Sequence, residues 1–368
     1  MHIKINRAVI AEALNGVQSV VGSKITIPIL QNVKISAKEG KVDFVCSDID
    51  ITIQSMADCE VVKEGETTLP VKLLSTAIGK IVDGDIVIES DDKDRAKLTA
   101  GSSVFKFNGM PASDFPKPTE VNGAQTSIPC ATLKEMLRKT AFAMSTDETR
   151  LALGGILVDF SEGNGKVIAV ATDGRRLGVL NVQGETTSDF KEKFILPRKT
   201  IDILQKRLPK DGDCTITSIG SQVRFETGKM VVTTKVIDAA FPNYKGVIPE
   251  MSVEPIVVNR TELLGSIDRA SVFAIGVNAP SMEMTFGDNK VVIQCANREF
   301  GSSRDDMPIK YDGEKHTLCF VPQYIKDVLS VLDEDEVEFY IEKGIIPIMV
   351  REHGKDDFMG IVMPMRQN

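Results

Sequence analysis

Few side chains of this chain are placed to do covalent chemistry. Asp48 and Asp50 flank Ile49, and carboxylates at i and i+2 of a strand share a face, which suits a divalent cation. No third ligand accompanies them, and at the matching place later in the chain the pair becomes Asp173 and Arg175. No metal is expected there. The histidines His2, His316 and His353 are isolated and read as surface residues rather than bases or ligands. Cys46, Cys59, Cys130, Cys214, Cys295 and Cys319 form no C-x-x-C pair, which argues for free thiols in a reducing compartment and against zinc or a disulfide framework. G-x-x-x-x-G-K-[ST], G-x-G-x-x-G after a strand, H-E-x-x-H and G-x-S-x-G are all missing. The expectation is a protein with no catalytic residues, no cofactor and no metal.

The elements that would position any site repeat. TTLPVKLLSTAIGKI from Thr67, KFILPRKTIDILQKRL from Lys193 and TLCFVPQYIKDVLSVL from Thr317 each run a short strand through an apolar-Pro pair into a helix. The prolines Pro70, Pro197 and Pro322 are 127 and 125 residues apart (197−70 and 322−197), a spacing that fits whole small domains rather than solenoid units. Upstream of each, IKINRAVIAEALNGVQSV, SIPCATLKEMLRKTAFAM and PIVVNRTELLGSIDRASVFA lead a strand into apolar residues at helical spacing. Between these landmarks, KVDFVCSDIDITIQ, KVIAVATDGRRLGVL and KVVIQCANREFGSS alternate, break polar and alternate again, which predicts strand, turn, strand. DIVIES, DCTITSI and EVEFYIE follow the second helices as further strands. The prediction is an α+β chain of three copies of a two-helix, largely antiparallel-sheet domain, at 1–127, 128–253 and 254–368.

Apolar residues make up 42% and charged residues 26% of the 368, enough for each domain to bury a core. No apolar run approaches membrane-spanning length, and the N-terminal stretch lacks the apolar centre of a signal peptide. Net charge is −8, but it is segregated: 14 basic against 17 acidic residues in the first third, 18 against 15 in the second and 12 against 20 in the third, or −3, +3 and −8. The predicted helices carry a basic surplus, among them Arg7, Lys72, Lys80, Lys134, Arg138, Lys139, Lys199, Lys206, Arg207, Arg260, Arg269 and Lys326. Spaced cations without interleaved aromatics suit phosphate contacts that do not read sequence.

AVATDGRRL from Ala169, LPRK from Leu196, FPNYKGVIP from Phe241 and VMPMR from Val362, in this order within a threefold repeat, resemble the bacterial sliding clamp family, the β subunits of DNA polymerase III. The resemblance covers the whole chain. It implies the DNA clamp fold, a head-to-tail homodimeric ring around duplex DNA held without sequence specificity, and no enzymatic activity. It also implies a cytoplasmic, nucleoid-associated bacterial protein that confers processivity on the replicative polymerase. Its partners would be the DNA polymerase III core, the clamp loader, and other polymerases and repair proteins that dock through short linear motifs.

The resemblance assigns a peptide pocket to Leu153, Thr172, Gly174, Arg175, Arg176, Leu177, Pro242, Val247, Tyr324, Ile345, Pro347, Ile361, Met363, Pro364, Met365 and Arg366. Apolar and Met side chains make an adaptable socket, with Arg175 and Arg176 expected at its rim. It assigns DNA contacts to Lys24, Arg150 and Lys199, to which the helix residues Lys72, Arg138, Lys139 and Arg207 are added. Val272 and Phe273 would form the dimer contact, against Lys97 to Phe107 of the other copy. Leu151-Ala152 stands where some relatives have aromatics, and Gln367-Asn368 extends past the usual end. Two other classes compete. A peptide-binding scaffold that never touches DNA would not need cations gathered on its helices. An enzyme working at Thr172 and Asp173 would need a base, nucleophile or metal converging there.

Overall fold

The computed structural model describes residues 1–22, 27–117, 122–184, 186, 190–249, 253–274, 280–344 and 346–365. The first third contains β1 (His2–Asn6), α1 (Arg7–Val17), β2 (Asn32–Lys38), β3 (Lys41–Ser47), β4 (Ile51–Asp58), β5 (Glu60–Lys63), β6 (Gly65–Pro70), α2 (Val71–Lys80), β7 (Asp85–Ser90), β8 (Arg95–Ala100) and β9 (Ser103–Asn108). The middle third contains β10 (Ala124–Pro129), α3 (Cys130–Thr140), β11 (Gly155–Asp159), β12 (Val167–Thr172), β13 (Arg176–Val182), β14 (Lys193–Pro197), α4 (Arg198–Arg207), β15 (Asp213–Ser218), β16 (Gln222–Thr227) and β17 (Met230–Lys235). The last third contains β18 (Ile256–Asn259), α5 (Arg260–Ala270), β19 (Met282–Gly287), β20 (Lys290–Asn297), β21 (Gly301–Pro308), β22 (His316–Phe320), α6 (Pro322–Val331), β23 (Glu336–Tyr340), β24 (Ile348–Glu352) and β25 (Phe358–Val362).

Strand passes into helix at each predicted landmark. Asn6 caps α1 by accepting from the Ala8 amide at 2.9 Å, and Asn259 caps α5 by accepting from the Glu262 amide at 2.9 Å. Pro322 opens α6 as its first residue, where a missing N–H costs nothing. The buried positions of α1 are Ile10, Ala13, Leu14 and Val17, one stripe at helical spacing.

The sheets repeat in blocks of four strands. Each third contributes a block ordered like β4-β3-β2-β6 and another like β1-β7-β8-β9, to which β5 adds in the first third. Among the described residues, the pairings within and between these blocks are antiparallel; β4 meets β17, with Ile53 opposite Val232, and β13 meets β25, with Leu177 opposite Ile361. These two junctions make two eight-stranded sheets and leave sheets of five and four strands. The five-stranded sheet ends at β9 and the four-stranded sheet at β21.

Contacts group the described chain into two compact units. One comprises Met1–Leu133 and Asp202–Val236, the other Lys134–Ile201 and Ile237–Asn368. Within the first, Phe44, Ile35, Ile53 and Phe225 are fully buried. Within the second, Leu157, Ile168, Val170, Leu177, Val179, Tyr244, Met349 and Ile361 form one buried cluster. All six cysteines are free, and burial pushes the Cys214 thiol up to about 12, as expected of inert core thiols. Among the described residues no helix is long and apolar enough to cross a membrane.

The polar breaks in the alternating runs prove to be one turn made three times. Asp48 Oδ1 accepts from the amides of Asp50 and Ile51 at 3.1 and 2.7 Å. Asp173 Oδ1 does the same for Arg175 and Arg176 at 2.8 and 3.0 Å, and Asn297 Oδ1 for Glu299 and Phe300 at 2.9 and 3.3 Å. These are Asx turns, so the aspartates that the sequence offers for chemistry are occupied in shaping hairpins. No cluster of three His, Cys, Asp or Glu among the described residues is arranged to hold a metal.

Candidate functional site

A cavity of about 180 Å³ opens in the second unit over the buried cluster. Leu177 at the start of β13 and Ile361 opposite it on β25 supply its floor. Tyr244 closes one side, buried against the same cluster and edge-on to Phe241 at 6.4 Å between ring centroids. Burial raises the Tyr244 hydroxyl above its ordinary pKa, which keeps it neutral. Leu153 and Pro242 add apolar wall, and Val247 and Met363 stand 49% and 39% exposed at the mouth. Exposed Val and Met beside a buried apolar floor are what an apolar ligand would cover.

The TDGRRL turn fixes the polar edge of the cavity. Thr172 Oγ1 donates to the Arg176 carbonyl at 2.7 Å and accepts from the Gly174 amide at 3.0 Å. Gly174 has φ +86°, a conformation that favours glycine, whereas a Cβ there would meet only the movable guanidinium end of Arg150, with Nη2 at 2.9 Å. Arg150 Nη1 donates to the Asp173 carbonyl at 2.7 Å, which brings Arg150 into the cavity lining. The Met363 amide donates to the Arg175 carbonyl at 2.8 Å, tying the segment after β25 to the turn.

Arg176 departs from expectation. The sequence reading sets it at the rim of the pocket. Its side chain is only 13% exposed, with Nε 3.0 Å from Asp173 Oδ2 and Nη1 bonded to Asp327. Its guanidinium lies over the Tyr324 ring at 4.7 Å and the Phe142 ring at 5.7 Å. Two carboxylates and two rings saturate it, so it holds the turn in place and contributes its stem to the lining. Tyr324 acts from beneath Arg176 rather than in the lining.

Ten of the residues expected to form the pocket line the cavity, the last of them Met363. Pro347 and Pro364 do not line it, and Met365 is engaged in a bridge whose amide donates to the Cys319 carbonyl at 2.7 Å. Ile345 and Arg366 lie outside the described residues. The sequence reading leaves out Asn243 and Tyr244, which line the cavity. Both lie inside the FPNYKGVIP segment, where an aromatic between Pro242 and Val247 is the available signal.

The basic residues divide. Lys24 lies outside the described residues. Lys72 on α2 and Lys199 on α4 are exposed. Arg138 is half-exposed, but Nη2 lies 2.6 Å from both Glu135 and Asp333. Lys139 is a correction: it is 4% exposed, with Nζ 3.1 Å from Glu352 and 3.5 Å from Glu135 and Asp333. A lysine enclosed by three carboxylates is a structural cation, not a surface contact for DNA. Arg207 is half-buried and, among the described residues, bonds only the neutral Asn15 Oδ1, at 3.3 Å. Burial lowers its pKa from the ordinary guanidinium value. Of the histidines, His353 is exposed and pairs with Glu338, its Nδ1 2.7 Å from Oε1, and the His2 Nδ1 lies 4.0 Å from Glu89 Oε1.

Val272 and Phe273 lie on a 3₁₀ turn, Ser271–Ala274, after α5. Val272 is 56% exposed. The Phe273 ring packs over Gly301, where a Cβ would stand 3.3 Å from it, at the start of the edge strand β21. The segment from Lys97 to Phe107 covers parts of β8 and β9, and β9 is an edge strand whose side chains are exposed or half-buried, Val104 at 51%.

Comparison with known proteins covers the chain from end to end. Family models of the DNA polymerase III beta subunit match its N-terminal domain at residues 1–119, its central domain at 127–243 and its C-terminal domain at 245–366. A beta sliding clamp of Caulobacter vibrioides is 31% identical over 373 residues, covering all of both chains. A beta sliding clamp of Pseudomonas aeruginosa is 28% identical over 370 residues, again with full coverage of both. Among solved structures, a DNA polymerase sliding clamp from Pseudomonas aeruginosa with ligand superposes with a TM-score of 0.94 at 27% identity, covering 100% of each chain. A DnaN sliding clamp from Bartonella birtlesii bound to griselimycin gives 0.93 at 30% identity, also over 100% of each.

Proposed function

The chain belongs to the DNA polymerase III beta subunit family, the bacterial sliding clamps, and we propose from that premise that two copies join head-to-tail to enclose duplex DNA while the Leu177 cavity holds linear peptides of their partners. The family is the non-catalytic processivity subunit of the replicative polymerase, and this chain serves as a DNA sliding clamp. The occupation of Asp48 and Asp173 in turns agrees with the lack of chemistry.

One observation carries the assembly. Each third of the chain offers the same two strand blocks, and the terminal strand of one joins the terminal strand of the next: β4 to β17, then β13 to β25. The third equivalent join would bring β21 to β9, and among the described residues of one chain both are sheet edges. An exposed edge strand is a template for pairing with another chain. Pairing β21 of one copy with β9 of another would make a nine-stranded sheet from the four and the five. It would also bring Val272 and Phe273 near Lys97 to Phe107. Because the contact joins different surfaces, it is heterologous and must close or polymerise; three quasi-equivalent domains per copy, at 1–127, 128–253 and 254–368, let two copies close.

Closure would hold DNA topologically, so scattered phosphate contacts from Lys24, Lys72, Lys199 and Arg207 would be enough, and sliding stays easy. The polymerase core, clamp loader, and other polymerases and repair proteins are the proposed peptide donors, in the bacterial cytoplasm. Leu177, Ile361, Tyr244 and Met363 support this reading as an apolar, adaptable socket. Light scattering on Val272→Arg/Phe273→Glu tests the assembly. The expected result is a folded chain of monomer mass where the wild type has dimer mass; a variant that remains a dimer contradicts it.

A further inference from the structure

A second cavity, of about 220 Å³, lies in the first unit between α1, β4 and the end of α4. Its charged lining is Glu12, Lys206, Arg207 and Lys229. Three cations against one acid leave an excess of two positive charges. Among the described residues neither lysine ammonium has a carboxylate partner. Arg207 has none among them either: its one bond to a described residue is to neutral Asn15, and its buried Nε meets no acceptor there. A half-buried guanidinium without a counter-charge is unusual, because removing it from water is ordinarily offset by an anion.

The internal repeat explains why the cavity exists. Gly16 is the tenth residue of α1, and Lys139 is the tenth residue of α3. Glu12 and Glu135 are likewise the sixth residues of the two helices. Lys139 fills its place and satisfies Glu135 and Glu352. Arg269, the tenth residue of α5, pairs with Asp305. Only in the first copy is this position without a side chain. A Cβ on Gly16 would meet nothing nearer than Ser55, at 3.8 Å.

We propose that this cavity is a seat for a phosphate-class oxyanion, bound by Lys206, Arg207 and Lys229. A guanidinium fork and mobile ammonium groups are the standard partners of phosphate oxygens. The anion would supply the counter-charge that the described residues do not. The proposal does not depend on ring closure, and its test uses the full-length protein without DNA.

The test is calorimetric titration with inorganic phosphate and with tripolyphosphate, at ionic strength fixed by chloride. The expected result is saturable uptake of one anion per chain, weakened at least roughly tenfold in Lys206→Gln/Lys229→Gln. Gly16→Leu provides a second variant that removes no charge: leucine favours the helix over glycine and plugs the space. It should bind phosphate at least as weakly as the double variant while its circular dichroism stays that of the wild type. Unsaturable uptake by the wild type, or equal affinity in all three proteins, overturns the proposal. A short DNA duplex added to the phosphate complex then identifies the source. Displacement assigns the seat to a backbone phosphate, and persistence assigns it to a free anion; both outcomes uphold the oxyanion chemistry.

Discussion

Replacing Glu352 with Gln should destabilise the second unit by about 3 kcal/mol at pH 7, and by less in acid. Glu352 is 2% exposed. Burial alone would raise its pKa, but the Asp333 amide donating at 2.7 Å, Lys355 at 2.9 Å and Lys139 at 3.1 Å more than offset this and hold it at about 2, down from 4.5. A folded pKa below the unfolded one contributes stability that is complete above the unfolded value and is lost as pH falls through the folded one. Lowering this carboxyl from 4.5 to about 2 corresponds to about 3 kcal/mol at neutral pH and to about 2 kcal/mol at pH 3.5. Lys139→Met should cost a similar amount, because it strands a buried carboxylate. The double variant should cost less than the sum of the two by about 2 kcal/mol, as coupled neighbours do. Urea unfolding followed by circular dichroism at pH 7 and pH 3.5 measures all of this. A Glu352→Gln cost that is the same at both pH values, or additive single variants, would refute the reasoning that this buried network stabilises the fold.

Other outcomes follow from single positions. Ile49 sits at φ +85° and is 53% exposed, whereas Gly174 holds a comparable place at φ +86°; Ile49→Gly should relieve strain of about 1–2 kcal/mol, less the entropy that glycine loses on folding, and raise the melting temperature, and a fall would contradict it. Met363→Glu keeps the amide bond to Arg175 but charges the cavity mouth; fluorescence anisotropy should show a linear polymerase peptide binding roughly tenfold more weakly or worse, a loss of about 1.4 kcal/mol, with the dimer mass unchanged. The same point change is a cleaner probe than deleting residues 363–368, since that deletion also removes the Met365 bond to Cys319.

Much of the fold can be read from the chain because the same pattern of strands and helices is written three times. A strand leading into a helix is a local event, and β7, β15 and β23 follow their helices where the alternating runs predict them. The joins of β4 to β17 and β13 to β25 are long-range pairings that no local pattern encodes. The site was legible in part for the same reason. Leu177, Ile361 and Met363 belong to apolar motifs whose resemblance gathers them, and they do line one cavity. Arg176 and Lys139 could not be told apart from surface cations, because long side chains can reach carboxylates distant in sequence. Asp327 is 151 residues from Arg176, and Glu352 is 213 from Lys139. The role of Asp48 was hidden by scale: a carboxylate that caps its own turn looks, in sequence, like one waiting for a metal.

The central claim is that the protein holds DNA by enclosing it. Loading it with a clamp loader onto a circular plasmid at moderate salt, then linearising the plasmid and following the protein that remains, measures this directly. Enclosure predicts stable retention on the circle and rapid loss once ends are made, with retention on the circle only weakly dependent on salt. Equal retention on circular and linear DNA, falling steeply with salt on both, would mean ordinary phosphate contact and would contradict the account.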